Sequence, residues 1–189
     1  MKLHISPFEG ASALSHFRAL QLLPRLQAVH GQITGLSARY VHLVSTDAAP
    51  DEALKGRLRA LLTYGEPYQP ASGSRTDTRV AVVVAPRFGT VSPWSSKASD
   101  IAHNCGLAVR RVERLVEYEI ALSQPLIGKR AFSKPQLEDL ANLLHDRMTE
   151  SVMFDRAEAS KLFTDLAAQP MAHVDLLGGG RGTLSGCQR

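Results

Sequence analysis

The sequence predicts an α+β domain, a single sheet with helices packed on a face, and three observations carry that expectation. Valines run together at Val80 to Val84, and apolar residues alternate with charged ones from Val116 to Leu122, both marks of strands. Leucines recur at helical spacing in residues 51–64 and 137–148. These two kinds of segment alternate along the chain, which favours sheet-and-helix layers over a bundle or a β-sandwich.

Met1 to Ile5 is expected to form a short strand. Ser12 to His30 reads as a helix that places Phe17, Leu20, Leu23 and Leu26 on one face, with Pro24 kinking or splitting it. A strand follows around Arg39 to Val44, with Val41 and Leu43 on one side and Tyr40, His42 and Val44 on the other. Asp51 to Tyr64 is a helix on the stripe Leu54, Leu58, Leu61 and Leu62, and Asp51 and Glu52 sit where the helix dipole favours negative charge. The segment Gly65 to Asp77, rich in Pro, Ser and Gly, connects to a central strand at Thr78 to Ala85.

Pro86 to Ser96 is expected as a loop and Lys97 to Cys105 as a short helix closed by Gly106. The strand from Val116 to Leu122 is expected to leave one face against water, because Glu117 and Glu119 alternate with its apolar residues. Ser133 followed by Pro135 starts a helix whose stripe is Leu137, Leu140, Ala141, Leu144 and Met148. A further helix is expected over Ala157 to Leu166, then a short apolar stretch at Val174 to Leu177 and a flexible glycine run at Gly178 to Gly182.

At 189 residues, with 44% hydrophobic and 21% charged residues, the chain has the make-up of an ordinary globular domain. The expected division is one domain over residues 1–150 and the truncated start of a linker over 151–189. A net charge of +4, from 22 basic and 18 acidic residues scattered along the chain, gives no case for nucleic acid. Cys105 and Cys187 stand far apart with no matching histidines, so neither a disulfide framework nor a zinc site is expected. No signal peptide or membrane span is legible, and a cytoplasmic location with no membrane partner is the expectation.

The segment with the strongest chemical character is Pro86 to Lys97, which gathers two cations, three serines, a glycine and the sole tryptophan, Trp94. Hydroxyls and free backbone N–H groups at a helix start, beside Arg87 and Lys97, could hold a phosphate or carboxylate. The competing reading, and the preferred one, is that Ser92 or Ser95 caps the helix while Trp94 fills the core. His103 and Cys105 would diverge by about 200 degrees around a helix and so cannot form a nucleophilic pair. The expectation is a buried cysteine and a surface histidine. His145-Asp146-Arg147 reads as ion pairing or domain contact, since adjacent helical residues do not face one another. The glycine run lacks the Lys-Ser/Thr of a phosphate loop.

The run Pro86-Arg87-Phe88-Gly89-Thr90-Val91-Ser92-Pro93-Trp94-Ser95-Ser96-Lys97-Ala98-Ser99-Asp100-Ile101-Ala102-His103-Asn104-Cys105-Gly106-Leu107 closely resembles a signature near the start of large-type phosphoribosylformylglycinamidine synthases. Arg39-Tyr40-Val41-His42, Leu62-Thr63-Tyr64-Gly65, Leu144 to Glu150 and Val174-Asp175-Leu176-Leu177-Gly178 resemble the same family in the same order. The resemblance implies a domain similar to a dimer of the small accessory subunit of split synthases, followed by the start of a helical linker. It implies a scaffolding role between synthetase and glutaminase domains, in an enzyme that uses ATP, Mg and glutamine to convert formylglycinamide ribonucleotide to its amidine. No cofactor, metal or catalytic residue is implied for this chain, which stops before the linker's Asn-Ser-Glu-His-Cys-Arg-His-Lys motif. A frameshift, a split gene or an artificial chain end would each account for that stop, and an inactive truncated reading frame is one alternative.

The candidate docking residues are Arg87, Gly89, Thr90, Ser92, Trp94, Ser95, Ser96, Lys97, Asp100 and Asn104. A rival reading is a small anion-binding or hydrolytic protein working through Ser95, Lys97 and Asp100. Exposed apolar surface beyond Met148 would mark a missing neighbour.

Overall fold

The computed structural model describes residues 3–71, 78–123 and 132–164. Five strands, β1 (His4–Ser12), β2 (Ile33–Thr46), β3 (Thr78–Pro86), β4 (Arg111–Leu122) and β5 (Glu150–Met153), make one sheet in the order β1-β2-β4-β3-β5. Every neighbouring pair is antiparallel. Four α-helices, α1 (His16–Val29), α2 (Glu52–Leu62), α3 (Pro93–Asn104) and α4 (Lys134–Leu144), and a 3-10 helix (Arg156–Phe163) complete the α+β fold.

Strand alternation sorts the core into two layers. Leu36, Val82, Ile120 and Leu122 face α1 and α4, where Leu26, Leu140 and Leu144 are buried with them. On the same face, Val44 and Val112 meet α2 and α3 through Leu58, Leu62 and Ala102. The opposite face turns Val41, Leu43, Val83, Leu115 and Met153 onto Ala159 and Leu162 of the 3-10 helix. Two helix pairs therefore sit side by side on one face, with a gap between them over the middle of the sheet.

Several expectations need correction. β1 continues past Ile5 to Ser12, carrying Pro7, because an edge strand tolerates a residue without an N–H. α1 runs unbroken through Pro24, which is exposed like Leu20, so the carbonyl freed at position 20 lies on the water side. Its inward stripe is buried Leu26 with half-buried Leu22, Leu23 and Val29, while Phe17 and Leu20 are 67% and 54% exposed. β2 and β4 are longer than their apolar cores suggest. The Glu117 and Glu119 face of β4 is not simply hydrated, since both carboxylates are ion-paired, to Arg39 and Arg156 and to Arg79.

α3 starts at Pro93 and not at Lys97, with Ser92 accepting from Ser95 N at 3.0 Å and Pro93 in the first turn. Its other end follows expectation: Gly106, at φ +67, donates to His103 O while Leu107 N donates to Ala102 O, the paired bonds of a left-handed helix stop. α4 begins at the foreseen Ser133, whose backbone N–H reaches Gln136 Oε1 at 2.9 Å. β5 had no strand signal; its four residues pair with the end of β3, and the expected boundary at residue 150 falls on its first residue. The turn before it is held by Asp146, which accepts from Met148 N and donates its own N–H to Glu150, both at 2.8 Å. The helix expected over Ala157 to Leu166 is a 3-10 helix ending at Phe163. Val174 to Leu177, Gly178 to Gly182 and Cys187 lie outside the described residues.

Candidate functional site, a cleft beside the start of α3

Over the gap between the helix pairs lies a cleft of about 620 Å³. Its floor is one rung of the sheet, Tyr40 opposite Val116 opposite Val84 across β2, β4 and β3. One wall is the Arg87 to Pro93 loop and Trp94; the other is Met148 to Glu150. Arg87 N donates to Thr149 O at 3.0 Å, so the two walls are joined at one end. Gly89 makes the loop's turn with φ +77, and Thr90 closes it by donating both N–H and hydroxyl to Arg87 O.

Arg114 is the cleft's central charge. Its guanidinium lies 4.3 Å from the Tyr40 ring centroid and 4.6 Å from that of Trp94, within range for cation–π attraction to both. It reaches Tyr64 OH at 3.4 Å, and that hydroxyl bonds His42 Nε2 at 2.7 Å. His42, fully buried, lies against Trp94 with ring centroids 5.5 Å apart. Burial first, and then the positive charge of Arg114, lower the His42 pKa from 6.5 to about 4, so the ring is neutral at neutral pH. The result is an aromatic, cationic floor, with a hydrogen-bonded chain running from half-buried Arg114 through exposed Tyr64 to buried His42.

Of the expected docking residues, the fold brings Arg87, Thr90, Ser92 and Trp94 to the cleft. Ser96, Lys97, Asp100 and Asn104 lie exposed on the outer side of α3. Ser95 is fully buried, and its hydroxyl finds no partner among the described residues. The proposed set Ser95, Lys97 and Asp100 is thus not assembled into one site. Capping is settled in favour of Ser92, whose hydroxyl also lies 3.3 Å from the buried Glu113. Trp94 is half-buried and lines the cleft as well as packing beside α2 and α3.

Cys105 is exposed rather than buried, because it follows the last turn of α3, beyond the stretch that meets the sheet. His103 is on the surface as expected, its Nε2 bonded to Val109 O at 2.8 Å. Among the described residues, no group of three His, Cys, Asp or Glu could hold a metal ion, and no helix is long and apolar enough to cross a membrane. Tyr40, Arg114 and Met148 to Glu150 were not foreseen as site residues. Tyr40, and the stretch to Glu150, lay within segments carrying the family resemblance; Arg114 had no signal at all, since a lone arginine in a strand is unremarkable.

Fold and cleft together define a class: a one-sheet α+β domain, helices on one face, with an arginine clamped between aromatic rings where the helix pairs part. The chain belongs to the formylglycinamide ribonucleotide amidotransferase N-terminal family, which it matches over residues 39–163, from β2 through the 3-10 helix. That membership confirms the resemblance read from the sequence and ties the chain to purine biosynthesis.

Proposed function

We propose that this chain is a docking domain, which holds the synthetase and glutaminase domains of a formylglycinamide ribonucleotide amidotransferase in register and so helps ammonia pass between them. ATP and Mg serve the synthetase in this reading, and the chain itself performs no chemistry. It acts in the cytoplasm, without nucleic acid or membrane partners.

The observation that supports it best is the exposed surface of the cleft and of α3. Val91, 55% exposed, and Met148, 78% exposed, line the cleft, and on α3 Ile101, 45% exposed, stands in sequence among the exposed side chains of Lys97, Asp100 and Asn104. Phe154, beyond Met148, is 46% exposed. Apolar residues interleaved with polar ones are what a domain contact presents. The polar groups are poor candidates for catalysis, since Ser92 is tied up in capping and His42 is buried.

The test mixes this chain with a separately expressed remainder of the enzyme and follows glutamine-dependent synthesis. Synthesis should depend on the chain and fall when Lys97→Glu and Ile101→Asp are introduced. A remainder that works equally well alone would overturn the proposal. Flat calorimetric titrations with phosphoribosyl ligands and ATP would remove the anion-binding rival.

A further inference from the structure

We propose that the cleft is a socket for an acidic side chain of a neighbouring domain of the enzyme, an Asp or Glu carried on an apolar stretch, whose carboxylate meets the Arg114 guanidinium. The inference rests on the docking reading and adds the chemistry of the partner at the cleft.

Arg114 is the observation that points to a carboxylate. The rings of Tyr40 and Trp94 attract its charge, but a π cloud is a poor substitute for the oxygen acceptors that guanidinium N–H groups take. Among the described residues only the Tyr64 hydroxyl accepts from it, at 3.4 Å. Its neighbours on the sheet are served differently. Arg39 stands opposite Glu117 and bonds it, and Arg111 bonds Glu113. The residue opposite Arg114 is His42, which has no carboxylate to offer. Arg114 is half-buried, and a planar guanidinium partly removed from water is best matched by a carboxylate, which can accept two parallel bonds from its fork.

The rest of the cleft decides what carries that carboxylate. Two other charges line it, Arg87 and Glu150. Glu150 has one oxygen on Asp146 N at 2.8 Å, and among the described residues it pairs with neither arginine. The lining therefore sets two guanidiniums against one carboxylate and favours an anion. Yet the polar groups that could orient a small metabolite are spent within the chain. Thr90 gives its N–H and its hydroxyl to Arg87 O, Ser92 caps α3, and Thr149 O accepts from Arg87 N. A metabolite site converges several fixed polar groups on its ligand, whereas Trp, Tyr, Arg and Met are the residue types that protein contacts concentrate. Trp94, Tyr40, Arg114 and Met148 supply that set here, and exposed Val91 adds apolar surface for the stretch that carries the acid.

The test uses the full chain and the separately expressed remainder of the enzyme. Arg114→Met should weaken their complex about tenfold or more in calorimetry, as the loss of a central interface arginine does. In a chain that keeps Arg114, exposed Met148 replaced by p-benzoylphenylalanine should crosslink under ultraviolet light to a peptide of the remainder that contains Asp or Glu. Neutralising the acids of that peptide, Asp to Asn and Glu to Gln, should weaken the complex by the same factor without touching this chain. Full affinity after that neutralisation overturns the proposal. So does unchanged affinity in an Arg114→Met chain whose circular dichroism matches the parent. Free succinate that abolishes the crosslink would put a metabolite in the cleft and overturns it too. The docking role fails on a different result, synthesis that proceeds equally well without the chain. Where Lys97→Glu and Ile101→Asp impair synthesis and Arg114→Met leaves the complex as tight, docking stands and this inference falls.

Discussion

Replacing Arg156 with methionine tests how the open face of the sheet is closed. Arg156 donates to Glu9 Oε1 at 2.7 Å and to Glu117 Oε2 at 2.8 Å, while Arg39 reaches the other oxygen of each carboxylate, at 2.7 Å and 3.0 Å. The four charges form a closed ring joining β1, β2 and β4 to the 3-10 helix. Its arms are unequal. Glu9 is 49% exposed, and its pair with Arg156 is worth about 0.2 to 1 kcal/mol after screening. Glu117 is only 12% exposed, so hydrogen bonds to its charge fall nearer the range of about 1.5 to 3 kcal/mol, of which Arg39 retains part. The variant should therefore lose about 2 kcal/mol in denaturant titration, or about 4 to 8 °C in Tm for a chain of this size.

The pH dependence separates charge from packing. Burial alone would raise the Glu117 carboxyl, but hydrogen bonds from Arg156 and Arg39 outweigh it and hold the pKa below its usual 4.5. A depressed carboxylate stabilises the fold above its unfolded value and loses that contribution as pH falls through its folded one. The gap between parent and variant should be full at pH 7 and narrow below pH 4.5. A gap of the same size at pH 3, or no gap at pH 7, would refute the ring as an electrostatic clasp.

Two further outcomes are expected. In Gly10→Ala the new methyl would stand 2.8 Å from His42 Cε1 and 3.1 Å from the Tyr40 carbonyl, so the imidazole must yield; a loss of about 1 to 3 kcal/mol is expected, with a shifted Trp94 emission, and a neutral variant would contradict the packing described. His42 should cause a separate acid limb. Its folded pKa near 4 lies below the unfolded 6.5, so stability is full above pH 6.5 and falls by up to about 3 kcal/mol on the way to pH 4; denaturation of His42→Gln across that window should lack the slope.

What the sequence made legible followed from local physics. Asp51 beside Glu52, Ser133 before Pro135 and the glycine at 106 each announce a helix end through side-chain or backbone chemistry acting within one turn, and each is where the fold has it. The failures share a cause. Arg39 midway along β2, and Arg111, Glu113 and Arg114 at the start of β4, read as strand boundaries until partners from elsewhere pair or stack on them. β5 is four residues long and exists because β3 offers it an edge. Pro93 belongs to α3 because a proline needs no N–H partner in the first turn, so a residue that usually signals a loop there starts a helix.

The cleft was the least legible feature because no single segment contains it. Tyr40, Val116 and Val84 become one rung only when β4, last of the three in sequence, enters between β2 and β3. That same insertion puts Arg114 between Tyr40 below and Trp94 at the start of α3. Small buried residues, Ser95, Ser99 and Ala102, let α3 approach β4 closely, and Ser99 Oγ accepts from Val112 N at 3.0 Å. α3 is thus held against the central strand, through Ser92 at its start and Ser99 in its middle. A surface fixed in this way can meet another domain without first being ordered, which lowers the entropic cost of association. In the proposed docking role, the Lys97 to Asn104 surface would gain from the sheet that holds α3, a support its outward side chains alone do not disclose.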